Sequence, residues 1–210
     1  MASTKNEIWG EFEALMDADP ALPEEIFHQF MVKYPLLIPV WRPYDNIVLS
    51  KFQFGNQHVA DFAFARWDTT GLRWHFIEIE RPYDKQFSRT GDPSSRLRHA
   101  LRQITDWDIW FKENHSYIRQ SFPFSERIPL RGLASPHFTI ILGRRVNVRE
   151  DQKPSLERLG YKYGEIMSFD RLQEYMANPW LSERDNPICC KSFSNGKFRD
   201  LSSMTFAEYP

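Results

Sequence analysis

Residues 47–80 constrain the fold more than any other part of the chain. Three runs rich in β-branched and aromatic residues, at 47–54, 58–67 and 72–80, are separated only by the Gly55-Asn56 turn and the 68–71 turn. Connections that short join antiparallel neighbours and leave no room for a crossover helix, so the three runs are expected to form a meander. Pro82 ends the third run. After a polar loop, Leu97, Ala100, Leu101, Ile104, Trp107 and Phe111 recur at helical spacing, which predicts a long helix over 93–114. The continuous apolar run at 138–142 reads as a buried strand closed by Gly143-Arg144-Arg145.

The remaining elements are arranged around that frame. Ile8, Phe12 and Leu15 mark a helix over 6–17. A second helix starts at Pro23 or Glu24, with Ile26, Phe27, Phe30 and Met31 on its apolar face, and stops before Pro35. A helix over 154–159, a strand over 164–168 and a helix over 169–176 follow. Residues 116–135 read as an irregular excursion, and the segment after 178 shows no clear periodicity. The order of helices, three strands, helix, strand, helix, strand, helix predicts an α/β fold with a mixed central sheet flanked by helices. The expected organisation is an N-terminal helical extension over 1–22, one domain over 23–178 and a C-terminal tail over 179–210.

Composition narrows the class. With 41% hydrophobic and 15% aromatic residues, the chain is rich enough in apolar groups to fold, which excludes a disordered segment. No apolar stretch approaches the roughly 20 residues of a membrane span. The first ten residues carry no signal-like apolar run, and the adjacent Cys189 and Cys190 suit a reducing compartment. A soluble cytoplasmic protein with no membrane partner is expected. The formal net charge of −1 says little about partners, because the charge is uneven. Arg81, Lys85, Arg89, Arg96, Arg98 and Arg102 cluster in one stretch; Arg127, Arg131, Arg144, Arg145 and Arg149 form a second group. Each run reads either as a solvated face or as a phosphate-binding surface.

The chemistry concentrates on the meander. Side chains alternate along a strand, so Ile77 and Ile79 face one way while Glu78 and Glu80 face the other, their Cα atoms about 7 Å apart. Two carboxylates so placed need a cation, a proton or full solvation. Asp61 lies in the otherwise apolar run Val59-Ala-Asp-Phe-Ala-Phe-Ala65, where burial and strand propensity both disfavour it. A tight turn would bring it beside Glu78. Three carboxylates together make a hard-oxygen site for Mg²⁺ or Mn²⁺. On the long helix, His99, Gln103, Asp106 and Trp110 fall on one stripe beside the apolar one. Gln103 could order a water or a phosphate there, while His99 and Trp110 fit a half-buried polar seam. Glycoside hydrolysis also uses two carboxylates, but on opposite sides of a sugar, which neighbours on one strand face do not provide.

These residues carry a resemblance. Asp61 in one hairpin strand, Glu78-x-Glu80 in the next and a helix bearing Gln103 resemble the PD-(D/E)xK, or restriction-endonuclease-like, superfamily, and within it the nuclease domain of the Shedu antiphage defence proteins. The matching segments are Glu24-Glu-Ile-Phe-His-Gln-Phe-Met-Val-Lys-Tyr-Pro-Leu-Leu37, Asp61-Phe-Ala-Phe64, Ile77-Glu-Ile-Glu-Arg-Pro82, Leu97-Arg-His-Ala-Leu-Arg-Gln-Ile-Thr-Asp-Trp107 and Ser168-Phe-Asp-Arg-Leu172. The resemblance implies a restriction-endonuclease-like core with N-terminal helices and Mg²⁺- or Mn²⁺-dependent endonuclease activity on DNA. Asp61, Glu78 and the Ile79 carbonyl would ligate metal; Asp61, Glu78, Glu80 and Gln103 would form the catalytic set. Glu24, Lys85 and His99 would be accessory, and Arg81, Arg89, Arg96 and Arg98 would contact DNA. A homo-oligomer is also expected. One position departs from the pattern: many relatives carry lysine where this chain has Glu80. A nuclease fold that binds DNA or protein without cutting is therefore the alternative.

Overall fold

Short turns between runs that are buried for most of their length produce the expected meander. The computed structural model describes residues 4–69, 71–125, 134–177 and 188–203, so Arg127 and Arg131 lie outside the described residues. Strands β1 (Ile47–Phe54), β2 (His58–Asp68) and β3 (Gly71–Ile79) pair antiparallel in sequence. Helix α3 (Ser95–Glu113) starts at Ser94, whose hydroxyl accepts from the Leu97 N–H. Its apolar stripe packs on one face of the sheet. The short helix α4 (His115–Ser121) follows, within the segment read from sequence as irregular. Strand β4 (His137–Ile141) then returns parallel to β3, and β5 (Glu165–Met167) parallel to β4, with α5 (Lys153–Tyr163) as the crossover.

Two helices precede the meander: α1 (Lys5–Asp17), capped by a reciprocal Thr4–Glu7 box, and α2 (Glu24–Lys33). With α6 (Leu172–Met176) they cover the other sheet face. Ile8, Phe12, Phe27, Met31, Phe169 and Leu172 bury there against Phe62, Phe64, Ile77, Ile79 and Ile141. The opposite core joins Phe52, Phe54, Trp74, Phe76 and Phe138 to Leu97, Ile104, Trp107 and Phe111 of α3. The α1 helix, read from sequence as an extension, thus shares the main core.

The segment after 178 shows no clear periodicity in the sequence, yet residues 189–203 complete the sheet. Strand β6 (Cys189–Ser194) lies parallel to β1, and β7 (Lys197–Ser203) folds back on β6. Asn195 and Gly196 turn that hairpin with φ of 50° and 73°, as a tight two-residue turn requires. The seven-stranded order is β5-β4-β3-β2-β1-β6-β7. No helix among the described residues is long and apolar enough to cross a membrane.

Candidate active site

The ladder between β2 and β3 places the acids. Its last regular pair is Phe62 opposite Ile77, and the next step sets Asp61 opposite Glu78. The Asp61 Oδ2 accepts from the Ile79 N–H at 2.8 Å, fixing the carboxylate against β3. Glu80 continues the strand: its N–H donates to the Ile141 carbonyl at 2.8 Å, so β4 holds it in line beyond Ile79. Asp61, Glu78 and Glu80 are all buried, at 5%, 7% and 3% exposure, where uncompensated charge is costly.

That cost shows in the acidities. Burial, then Asp61 and Glu24, holds the Glu78 carboxyl well above its ordinary value, although Gln103 hydrogen-bonds it and works the other way. Burial pushes Glu80 up to about 7, opposed by Arg96 and reinforced by Asp84 and Asp61. Glu24, at the first turn of α2, also rises to about 7 through burial and the nearby Asp61 and Glu80. The expected residues Asp61, Glu78, Glu80, Glu24 and Gln103 therefore share one electrostatic neighbourhood.

The other residues named from sequence sit less centrally. His99 and Lys85 are exposed, and among the described residues neither has a hydrogen bond or ion pair to the acids. Arg96 approaches Glu80 at 3.9 Å and Asp84 at 3.8 Å. Arg81 is engaged by Asp84 through two 3.0 Å hydrogen bonds. The Arg98 guanidinium donates to the Pro93 carbonyl, and Arg89 is exposed.

Sequence reading missed Lys51 and His28. Lys51 on β1 donates to Asp61 Oδ1 at 2.5 Å and lies 3.6 Å from Glu25. Burial opposes its charge, but Asp61, Glu25 and Glu24 outweigh that and raise its pKa. The turn at Gly55 already aligned residue 51 with residue 61, so this contact was latent in the strand boundaries. His28 of α2 is buried, with Nε2 3.3 Å from the Asp61 carbonyl and 3.2 Å from the Ser50 hydroxyl. It braces the β2 backbone at the site.

The donor set suits a divalent cation. Four carboxyls crowd together, three of them pushed up in pKa, and the buried Gln103 Oε1 lacks a protein partner. Added positive charge would relieve the first condition, and a water held at the site the second. Even so, no group of three or more His, Cys, Asp or Glu side chains among the described residues closes into a ready-made metal shell. Both Asp61 oxygens are already engaged, one by Lys51 and one by the Ile79 N–H.

A cleft of about 840 Å³ lies elsewhere, lined in part by Trp41, Arg66, His75, His137 and Tyr161. Asp61, Glu78 and Glu80 do not line it, so its size carries no weight for the chemistry of the acids.

A mixed sheet whose antiparallel hairpin bears Asp and then Glu-x-Glu, followed by a glutamine-bearing helix and a parallel strand, defines a restriction-endonuclease-like fold. The family profile of the Shedu protein SduA, C-terminal, matches residues 21–173. The chain belongs to that family. Among solved structures, restriction endonuclease FokI is similar with a TM-score of 0.41 and 11% identity, covering 81% of this chain and 27% of that one. FokI bound to DNA gives a TM-score of 0.37 and 12% identity, covering 82% and 30%. The chain thus spans less than a third of either structure. A comparison with curated proteins finds no match.

Proposed function

We propose that this domain is a metal-dependent DNA endonuclease acting in antiphage defence. The observation that carries the reading is Asp61 set opposite a buried Glu78, within reach of Glu24, Glu80 and Gln103. Asp61 and Glu78, with the Ile79 carbonyl, would hold Mg²⁺ or Mn²⁺. When bound, such an ion lowers the pKa of water and offsets charge developing on the phosphate. Glu80, held at about 7, is poised to take a proton from the attacking water near neutral pH. Gln103 hydrogen-bonds Glu78 and keeps an oxygen without a protein partner, which would hold a water. Arg89, Arg96 and Arg98, with Arg81 beyond its Asp84 partner, would draw the DNA backbone, an attraction that weakens with salt. Family membership and the acidic site support the nuclease reading; preference for DNA and the defence role are proposed on the resemblance, as is a homo-oligomer, and a cytoplasmic location on the cysteine usage.

The test is plasmid nicking with Mg²⁺ or Mn²⁺ by the wild type and Glu78→Ala. Nicking should need the metal and fall at least about 100-fold in the variant. Metal-dependent nicking that persists in Glu78→Ala would remove Glu78 from the site. One observation favours a second reading: Glu80 cannot supply the positive charge usual at its position. A wild type that binds DNA or protein but does not nick would establish that alternative.

A further inference from the structure

We propose that Lys51, reaching in from β1, is the catalytic cation of this site, supplying the positive charge that position 80 lacks. The inference rests on the nuclease reading above and names a residue for it. Three independent features point to Lys51.

The first is its place in the ladder. Ser50 pairs with Phe62 and Phe52 with Ala60, so Lys51 stands on the rung of Asp61. The strands are irregular there. Leu49 and Phe52 both face the α3 core, as do Ala60 and Ala63 opposite them. Residues three apart on a regular strand face opposite sides, so the alternation slips by one residue on both strands at this rung.

The second is the backbone. Lys51 has φ of 45°, a left-handed conformation inside a strand. For a non-glycine residue this costs on the order of 1 kcal/mol or more, and such strain tends to persist where a side chain must be aimed. Here the side chain is aimed at Asp61 and stays 40% exposed, open to an incoming ligand.

The third is the charge arrangement. Among the described residues, Lys51 is the one ammonium group within ion-pair distance of Asp61, Glu78 or Glu80. Arg96 stands farther off and is shared between Glu80 and Asp84. Lys51, partly exposed beside the buried acids, is placed to meet a phosphate that approaches Asp61 and Glu78. In the step itself, a water oxygen bonds to phosphorus and the bond to the leaving oxygen breaks. The water's proton passes to Glu80, and solvent protonates the leaving group. Lys51 exchanges no proton; it stabilises negative charge on the non-bridging oxygens.

The test removes the lysine or replaces it. Lys51→Met should lower single-turnover nicking about 100-fold, the loss typical of removing one charge-stabilising donor, with DNA affinity within about threefold of wild type. Lys51→Arg, which keeps charge, should fall between wild type and Lys51→Met. Mn²⁺ affinity, read by electron paramagnetic resonance without DNA, should tighten severalfold in Lys51→Met, because a competing cation has left Asp61. Thermal melts check folding, and Lys51→Gln replaces the Met variant if that does not fold. Nicking by Lys51→Met within threefold of wild type, in a folded protein, overturns the proposal. If the wild type itself does not nick, the nuclease reading fails. The Mn²⁺ arm still decides about Lys51: an unchanged affinity in the variant shows that its ammonium does not occupy the cation position.

Discussion

Replacing Glu80 with glutamine should stabilise the metal-free protein in a pH-dependent way. The carboxyl has a pKa of about 7 in the folded chain against 4.5 for the free side chain, chiefly because it is buried. Folding therefore favours its protonated form. Below pH 4.5 both folded and unfolded chains carry the proton, and the residue costs nothing. Between 4.5 and 7 the unfolded chain ionises first, so stability is lost as pH rises; above 7 the full cost applies. At about 1.4 kcal/mol per pH unit, the separation amounts to about 3 kcal/mol. Glutamine keeps the shape and never ionises. Glu80→Gln should therefore match wild type near pH 4.5 and exceed it by up to about 3 kcal/mol at pH 8, or about 6 to 12 °C in Tm. The assay is urea denaturation in a chelating buffer at both pH values. Adding Mn²⁺ should narrow the gap at pH 8 by stabilising the wild type preferentially. If Glu80→Gln is no more stable than wild type at pH 8, or the difference is the same at both pH values, Glu80 is not a charge held against its preference.

Other perturbations probe the surrounding structure. Gln103→Ala removes the hydrogen bond that favours ionised Glu78; nicking should drop about tenfold in a single-turnover assay while stability changes by about 1 kcal/mol. Gly143→Ala should destabilise by about 2 to 4 kcal/mol in chemical denaturation, because Gly143 has φ of 68° and an added Cβ would meet the Asp84 carbonyl at 2.4 Å. Converting Arg89 and Arg98 together to alanine should weaken DNA binding at low salt and lower the salt slope of the affinity by about 2, read by fluorescence anisotropy. A slope that does not change would place the DNA elsewhere.

The parts of the fold legible in the sequence were those set by local rules. Gly55 and the 68–71 turn fixed the meander, and its register followed from the turns, so the pairing of Asp61 with Glu78 could be anticipated. The spacing of Leu97, Ile104 and Trp107 defined α3 to within two residues. Features that depend on distant pairing were not legible. Strand β6 joins β1 across some 140 residues of sequence, and no local pattern announces a parallel partner. Yet Phe193-Ser-Asn195-Gly196-Lys-Phe198 carries an Asn-Gly hairpin signal that marks the β6–β7 turn. Lys51 escaped notice because a lysine in a strand reads as an exposed residue. Its placement beside Asp61 comes with a slipped alternation at residues 49–52 and 60–63, which a strict period of two hides. On the α3 stripe, His99 and Asp106 face solvent, Trp110 packs against Phe54 and Phe122, and Gln103 reaches the acids.

The segment recognisable as Shedu stops at residue 173, whereas the hydrogen-bonded sheet does not. A fragment trimmed to the recognisable part would strip β6 from the flank of β1, the strand that carries Lys51, and leave a row of peptide groups with no partner. Such a fragment would be prone to recruit a neighbouring molecule along that bared margin. Backbone pairing within the sheet thus runs some thirty residues beyond the point where the family match ends.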